Sequence, residues 1–215
     1  MGKTGGARGT NQYAVKGASQ ASQQSVDVLD DLSGNEDLFV RLDRARDRNT
    51  PPTVLARLAE DEDVDVRLSV AQNPDTPPEV LARLAGDKDS VVQSFVAWQP
   101  HTPPAELERL AGHRSEFVRE AVASNKSAPT EILVRLAEDD SPLVREAVAK
   151  HDITPVAVLS HLAEDEDPGV RRNVARNLNT PGALLDVLAR DGNRRVSEAA
   201  WGRPSWSREG QPPRG

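Results

Sequence analysis

The sequence predicts an all-α solenoid, a fold in which short helical units stack in one direction. Three observations predict it: a dipeptide that returns every 26 residues, apolar residues at helical spacing in each unit, and the lack of alternating β-branched runs. The dipeptide is Thr50-Pro51, Thr76-Pro77, Thr102-Pro103, Thr154-Pro155 and Thr180-Pro181, with Ala128-Pro129 in the one remaining place. A unit of this length cannot bury its own apolar face, so it must pack against its neighbours.

Each unit opens with a predicted short helix. Leu55 and Leu58 are i, i+3 neighbours, and the same pair returns in every following unit, so one apolar stripe runs along this helix. The Thr of the dipeptide is expected to act as the N-cap. The following Pro is expected at the first helical position, where its missing N–H costs nothing.

A second predicted helix completes the unit. Val66 and Val70 are i, i+4 neighbours, and this pair recurs in the four units that follow. Asp61 and Asp63 place negative charge at the N-terminus of the helix, where the helix dipole favours it. Asn73 is expected to close the helix or to satisfy its free carbonyl groups.

The 26-residue register divides the chain into a leader, a solenoid and a tail. The solenoid is predicted to span residues 25–202 in about seven units: a degenerate N-terminal cap repeat at 25–49, repeats from residues 50, 76, 102, 128 and 154, and a C-terminal cap repeat from residue 180. Terminal repeats are atypical because one side of each faces water. Residues 1–24 are a predicted flexible, Gly-rich and basic leader, and residues 203–215 a flexible Pro- and Gly-rich tail.

The repeat resembles the variant leucine-rich repeat of bacteria. The resemblance is carried by the segment from Asn73 to Ala85, followed by an acidic turn and a Val-x-x-x-Val-Ala ending. It implies a right-handed α-solenoid without strands, in which each unit pairs an α-helix with a second, shorter and often 3₁₀-like helix. The segment from Asp63 to Arg67 is also similar to HEAT-like repeats. The founding type of the family carries a cysteine-bound iron–sulfur cluster, which is not expected here because this chain has no Cys.

Composition limits the classes of function. A chain of 215 residues with 37% hydrophobic and only 3% aromatic residues can bury a continuous but thin core of Leu, Val and Ala. No stretch approaches the ~18 apolar residues of a membrane span, and no signal-peptide pattern is visible, so a cytoplasmic location is expected. The lack of Cys excludes disulfides, thiolate zinc sites and Cys nucleophiles.

Charge is unevenly distributed along the chain. The first 24 residues carry +3 and the last 14 carry +2, so the total of −7 leaves about −12 on the repeats. Such a body repels nucleic acid on average, although the basic tails or a local stripe of arginine could hold phosphates. Two arginine ladders recur, and the second is interrupted by Gln93: Arg57, Arg83, Arg109 and Arg135 form the first, and Arg67, Arg119, Arg145 and Arg171 the second. The favoured interpretation is structural, with Arg67 paired to Asp63 on the same helix.

The strongest candidate for a binding site lies where the third unit departs from the repeat. Phe95 and Trp98 stand where the other units have small or polar residues, Gln93 replaces the ladder arginine, and His101 follows. An exposed Trp beside a Phe is typical of an interface anchor, so these four residues are the predicted partner-binding site. The alternative is that the two rings fill a gap between units.

The leader contains a second candidate. Arg8, Asn11, Tyr13 and Lys16 lie in a Gly-rich segment outside the repeat register. They form either a short linear motif that docks a partner protein or nucleic acid, or part of a flexible leader without a binding role.

No catalytic constellation is visible in the sequence. The four His residues fall at four different repeat positions, and no Ser or acid has a spacing typical of acid–base work. The sequence therefore favours a non-enzymatic scaffold for protein–protein interaction, without metal or cofactor and without membrane contact. The alternative is a nucleic-acid-associated factor that binds phosphates through its basic tails and an arginine ladder.

Overall fold

The computed structural model describes residues 37–202, which form thirteen α-helices and no strand. Six short helices alternate with seven longer ones, and each set begins every 26 residues. The short helices span Pro52–Leu58, Pro78–Leu84, Pro104–Leu110, Thr130–Leu136, Val156–Leu162 and Gly182–Leu188. The long helices span Leu38–Arg46, Val64–Gln72, Ser90–Trp98, Glu116–Ser124, Pro142–Lys150, Pro168–Arg176 and Arg194–Trp201. The predicted all-α solenoid is confirmed.

The core follows the two apolar stripes that the sequence predicts. Long helices of neighbouring repeats pack side by side, and each short helix packs against the long helices before and after it. Leu55 and Leu58 of the short helix and Val66 and Val70 of the long helix are buried, as are their equivalents in the repeats that follow, whereas Val40 in the N-terminal cap repeat is exposed. These buried residues form one continuous apolar cluster. Each fully buried Leu or Val stabilises the folded state by about 1.5 to 3 kcal/mol.

Both helices of the repeat are α-helical, unlike the 3₁₀-like second helix that the family resemblance implies. In one short helix, Ala85 donates its N–H to the Leu81 carbonyl four residues back, at 2.8 Å. Only the last turn tightens, where Gly86 and Asp87 donate to carbonyls three residues back. The helix that follows the Thr-Pro dipeptide is the shorter of the two helices in each repeat.

The Thr of the dipeptide closes the preceding helix and does not cap the next one, so the N-cap prediction is wrong. Pro51 occupies the N-cap position, Pro52 begins the helix, and no side chain caps that end. Thr76 is buried and donates its hydroxyl to the Val70 carbonyl oxygen at 2.6 Å. Equivalent bonds are made by Thr50, Thr102, Thr154 and Thr180. Each Thr thus gives a second donor to a carbonyl in the last turn of a long helix, which already accepts one backbone N–H.

Four of the seven long helices begin at an aspartate that accepts an N–H of the first turn: Asp37, Asp63, Asp89 and Asp167. The Asp63 carboxylate accepts the Asp65 N–H at 2.8 Å, and Asp89 accepts the Val91 N–H at 2.7 Å. Asp167 accepts the Gly169 N–H at 2.6 Å. Each bond satisfies an orphan donor of the first turn.

The second arginine ladder joins neighbouring repeats, so the predicted pair of Arg67 with Asp63 is wrong. Arg67 Nε donates to Asp87 Oδ2 at 2.7 Å, and its Nη1 donates to the carbonyl oxygens of Asp61 and Glu62. Both side chains are almost fully buried, with 6% and 5% of their surface exposed. Equivalent pairs are Arg41–Asp61, Arg119–Asp139, Arg145–Asp165 and Arg171–Asp191. The ladder is structural, and each guanidinium crosses one repeat boundary.

One step of this ladder is missing, and both partners are replaced. Gln93 stands at the arginine position, and His113 stands where its aspartate would be. Gln93 Nε2 donates to the Ala85 carbonyl at 3.2 Å, and His113 Nδ1 accepts the Ser115 N–H at 3.0 Å. Because both are replaced together, neither side leaves a buried charge without a counterion.

We expect the double substitution Gln93→Arg with His113→Asp to restore the missing ion pair. Each single variant introduces one charge without its counterion, whereas the double variant can form the bidentate pair of the other repeats. Free energies of unfolding in urea for the four proteins should give a favourable coupling of about 1 to 3 kcal/mol. Coupling near zero would show that the local backbone no longer brings these positions together.

An amide ladder also joins the repeats, at the C-terminal ends of the long helices. Asn73 Nδ2 donates to the carbonyls of Ala45 and Asp47, at 2.9 and 3.0 Å. Gln99, Asn125 and Asn177 make the same two bonds one repeat apart. The amides bond to backbone carbonyls as predicted, but those carbonyls belong to the preceding repeat, and one of each two already accepts a backbone N–H.

The aspartates that pair with the second arginine ladder make the stability of the protein sensitive to acid. Burial opposes ionisation of Asp87, but hydrogen bonds from Arg67 and the Asp89 N–H outweigh it and lower the pKa of Asp87. The same balance lowers the pKa of Asp139 and Asp165, and for Asp191 the hydrogen bond from Arg171 is the largest cause. Since the unfolded chain binds protons first, this stabilisation is complete above the ordinary pKa of about 4 and is lost as the pH falls through the lowered values.

We therefore expect the thermal midpoint to fall steadily between about pH 5 and pH 2. Arg67→Ala is the matched control, because it removes a hydrogen bond that lowers the pKa of Asp87. The fall should be shallower in that variant when both are followed by circular dichroism. Parallel curves for the two proteins would contradict the assigned cause.

Among residues 37–202 no helix is long and apolar enough to cross a membrane. The leader at 1–24, the start of the N-terminal cap repeat and the tail at 203–215 lie outside the described residues. Their predicted boundaries remain predictions.

Candidate functional site

A groove lies on the surface formed by the long helices Ser90–Trp98 and Glu116–Ser124, which pack side by side. Its volume is about 520 Å³. It is lined by Ser90, Val91, Ser94, Phe95, Trp98, Ser115, Phe117, Glu120 and Ala121. We call it the aromatic groove, because three of its largest lining side chains are aromatic.

The helix periodicity explains why these side chains face outward. Val91, Phe95 and Trp98 stand at i, i+4 and i+7, so they share one face of their helix, while Val92 and Val96 are buried in the core. Trp98 keeps 62% of its surface exposed, and its indole N–H has no acceptor within residues 37–202. The groove therefore presents both an apolar ring and a free donor to solvent.

The neighbouring repeat contributes a residue that sequence reasoning missed. Phe117 is 64% exposed and lies across the groove from the helix of Trp98. Its own register position holds Val91 in the preceding unit and Leu143 in the next, so three successive units place an apolar residue at an exposed position. That run of apolar residues was the available signal.

Two of the predicted partner-binding residues do not line this groove. Gln93 is buried and donates to the Ala85 carbonyl, so its side chain is not available to a partner. His101 is exposed in the turn that follows the helix Ser90–Trp98. The predicted leader residues lie outside the described residues: Arg8, Asn11, Tyr13 and Lys16.

Titratable side chains are dispersed over the described repeats. Within residues 37–202, no three His, Asp or Glu side chains are placed to hold a metal ion. His113 and His151 bond to backbone groups of the turns, and His161 Nε2 lies 3.1 Å from Glu138 Oε1. Burial and nearby arginines, Arg114 foremost, lower the pKa of His113.

The first arginine ladder is also engaged with acids. Arg83 Nη1 lies 2.5 Å from Glu60 Oε1 in the preceding repeat, and Arg135 bonds to Glu108 in the same way. Arg109 pairs with Glu106 on its own helix at 3.0 Å. Since the second ladder is paired as well, neither offers a row of free cations to a phosphate backbone.

Comparison with known proteins places this architecture. The family model described as leucine rich repeat variant matches residues 64–89 and 116–141, two segments of one repeat length. A solved structure described as a leucine-rich repeat variant with a novel repetitive protein structural motif is 30% identical, with a TM-score of 0.64. The match covers 82% of this chain and 70% of that one.

A second solved structure shares the fold alone. The Escherichia coli protein YibA is 18% identical with a TM-score of 0.50, over 77% of this chain and 73% of that one. No curated protein matches the chain. Fold and comparisons together define an α-helical repeat protein, a class whose stacked units present extended binding surfaces. This chain belongs to the leucine-rich repeat variant family.

Proposed function

We propose that this protein is a non-enzymatic scaffold that binds a partner protein through the aromatic groove. One observation carries the proposal: Trp98 and Phe117, from adjacent repeats, are each more than 60% exposed and line the same groove. Tryptophan is enriched among the residues that dominate binding energy, and an apolar patch with a polar rim marks interaction sites.

The rim of the groove supports a protein as the occupant. Ser90, Ser94 and Ser115 supply short hydroxyl groups beside the rings, and Glu120 supplies one charge. An apolar centre with a polar edge is the usual composition of a protein interface.

The proposed compartment is the cytoplasm, because the sequence has no Cys and the fold needs no disulfide.

The test begins with a defined probe. Peptides from a random displayed library are selected on the wild-type protein alone, and the survivors are then compared on wild type and Trp98→Ala. We expect the survivors to carry an aromatic or large aliphatic side chain, and Trp98→Ala to weaken them by 2 kcal/mol or more, about 30-fold. Titration calorimetry with one synthesised peptide measures this change.

The chain offers a matched control for Phe117. Phe39 is 77% exposed and occupies the same register position three repeats earlier. Phe117→Ala should weaken the peptide, whereas Phe39→Ala should not, and neither should move the thermal midpoint. Equal binding by wild type and Trp98→Ala would defeat the proposal. So would self-association in sedimentation that Trp98→Ala abolishes, since a second copy would then be the occupant.

A further inference from the structure

The groove on the long helices recurs along the solenoid with different chemistry. A second groove of about 590 Å³ is lined by Arg172, Arg176, Arg195, Glu198, Ala199 and Gly202. Subtracting 78 residues, which is three repeats, maps the first five onto Ser94, Trp98, Phe117, Glu120 and Ala121, all of which line the aromatic groove. The same surface is therefore aromatic in one place and basic in the other. We call the second site the basic groove.

The basic groove lies where the charge of the solenoid reverses. Residues 37–167 contain 15 Lys and Arg against 26 Asp and Glu, a net charge of −11. Residues 168–202 contain six Arg against three acids, a net charge of +3. An acidic ligand is therefore repelled by the net charge of residues 37–167 and attracted by that of residues 168–202.

Two of the arginines lack the acidic partners that the arginines of the second ladder have. Arg172 Nε is buried without a hydrogen-bond partner among the described residues. Arg195 is exposed and forms no ion pair within residues 37–202. Glu198, the one acid in the lining, bonds instead to Arg194, whose Nε lies 2.6 Å from its Oε1. A donor left unsatisfied in a buried position is stabilised when a ligand oxygen reaches it.

We infer that Arg172 and Arg195 bind carboxylates of the same partner whose apolar side chain enters the aromatic groove. The inference rests on the proposed function. At roughly 8 to 10 Å per stacked helix, three repeats place the two grooves about 24 to 30 Å apart. An extended peptide spans that distance with about eight residues, at ~3.3 to 3.6 Å each.

The ligand is therefore a peptide segment with a large apolar residue and a cluster of Asp or Glu about eight residues away. Nucleic acid fits the surface less well. A phosphate backbone that reached the aromatic groove would run past Glu120 and Glu146 and over a body of net charge −11. A short acidic cluster confined to the basic groove avoids this repulsion.

Three labelled peptides test the inference by fluorescence anisotropy. The first joins a Trp-Leu anchor, eight Gly-Ser residues and four Glu; the second has Gln in place of Glu; the third has four Glu and no anchor. We expect wild type to bind the first about tenfold more tightly than the second at low salt, because charge-assisted bonds form only with Glu. Arg172→Gln with Arg195→Gln should remove this preference.

Control variants separate the two proposals. Lys88→Gln with Arg190→Gln removes the same charge from exposed positions outside both grooves and should keep most of the preference. Trp98→Ala should weaken the first two peptides equally and leave their ratio unchanged. If Trp98→Ala changes nothing while the ratio persists, the proposed function fails and the basic groove remains.

The inference itself fails if wild type shows no preference for Glu, or if the preference survives in the double arginine variant. Should Arg172→Gln prevent folding, Arg195→Gln alone carries the test, because its side chain is exposed. A 20-nucleotide single-stranded DNA is the remaining probe. Tighter binding of that DNA than of the first peptide, lost in the arginine variant, would replace the peptide by nucleic acid and overturn the inference.

Discussion

Leu110→Ala is expected to lower the free energy of unfolding by about 2 to 5 kcal/mol. Leu110 ends the short helix Pro104–Leu110 in a central repeat, and only 1% of its surface is exposed. Truncation to Ala removes apolar contacts and leaves a cavity that the neighbouring helices can close only in part. In a solenoid each unit is held by its neighbours alone, so the loss falls on both flanking interfaces.

Arg109→Ala at the adjacent position is the control. Its guanidinium pairs with Glu106 on the exposed side of the same helix, and such pairs contribute about 0 to 1 kcal/mol. Urea unfolding followed by circular dichroism should show a large shift for Leu110→Ala and almost none for Arg109→Ala. Equal shifts would mean that the buried face of the helix has been assigned wrongly.

The helical register could be predicted from the sequence because the apolar period is strict. Leucine pairs at i, i+3 and valine pairs at i, i+4 each specify one buried stripe, and both stripes are buried in the structure. The Thr-Pro signal located the boundary between helices but not the direction of the Thr hydrogen bond. A hydroxyl both donates and accepts, so spacing alone does not decide between the two helix ends.

The partner of Arg67 could not be predicted by local rules. Asp63 lies one helical turn away and is the expected partner, whereas Asp87 lies twenty residues on. Only the stacking of repeats brings Asp87 within 2.7 Å of Arg67. The sequence does contain a trace of this pairing, because Gln93 and His113 depart from the pattern together.

Only part of the candidate site could be predicted, because the packing of neighbouring repeats also decides which residues line it. Phe95 and Trp98 are visible as departures within one helix, and both line the aromatic groove. Gln93 stands only two residues from Phe95, which in a helix places it on a different face, where it is buried. Phe117 belongs to another repeat, so its membership follows from the side-by-side packing of long helices.

Arg67→Ala should lower the free energy of unfolding by about 3 kcal/mol, the lower end of the range for breaking a buried ion pair. The Asp87 carboxylate, of whose side-chain surface only 5% is exposed, would lose its counterion. The carbonyl oxygens of Asp61 and Glu62 would also lose a donor. Both effects act across one repeat boundary.

The double variant Arg67→Ala with Asp87→Ala should be less destabilised than the sum of the two single variants, because it leaves no buried charge behind. Arg83→Ala is the matched control: Arg83 also pairs with an acid of the preceding repeat, Glu60, but 48% and 65% of the two side chains are exposed, so about 0.2 to 1 kcal/mol is expected. Raising the salt concentration to about 1 M should weaken the exposed pair and leave the buried one almost unchanged, since buried charges are screened much less. If Arg67→Ala and Arg83→Ala unfolded at the same urea concentration, the buried ladder would not be what holds adjacent repeats in register.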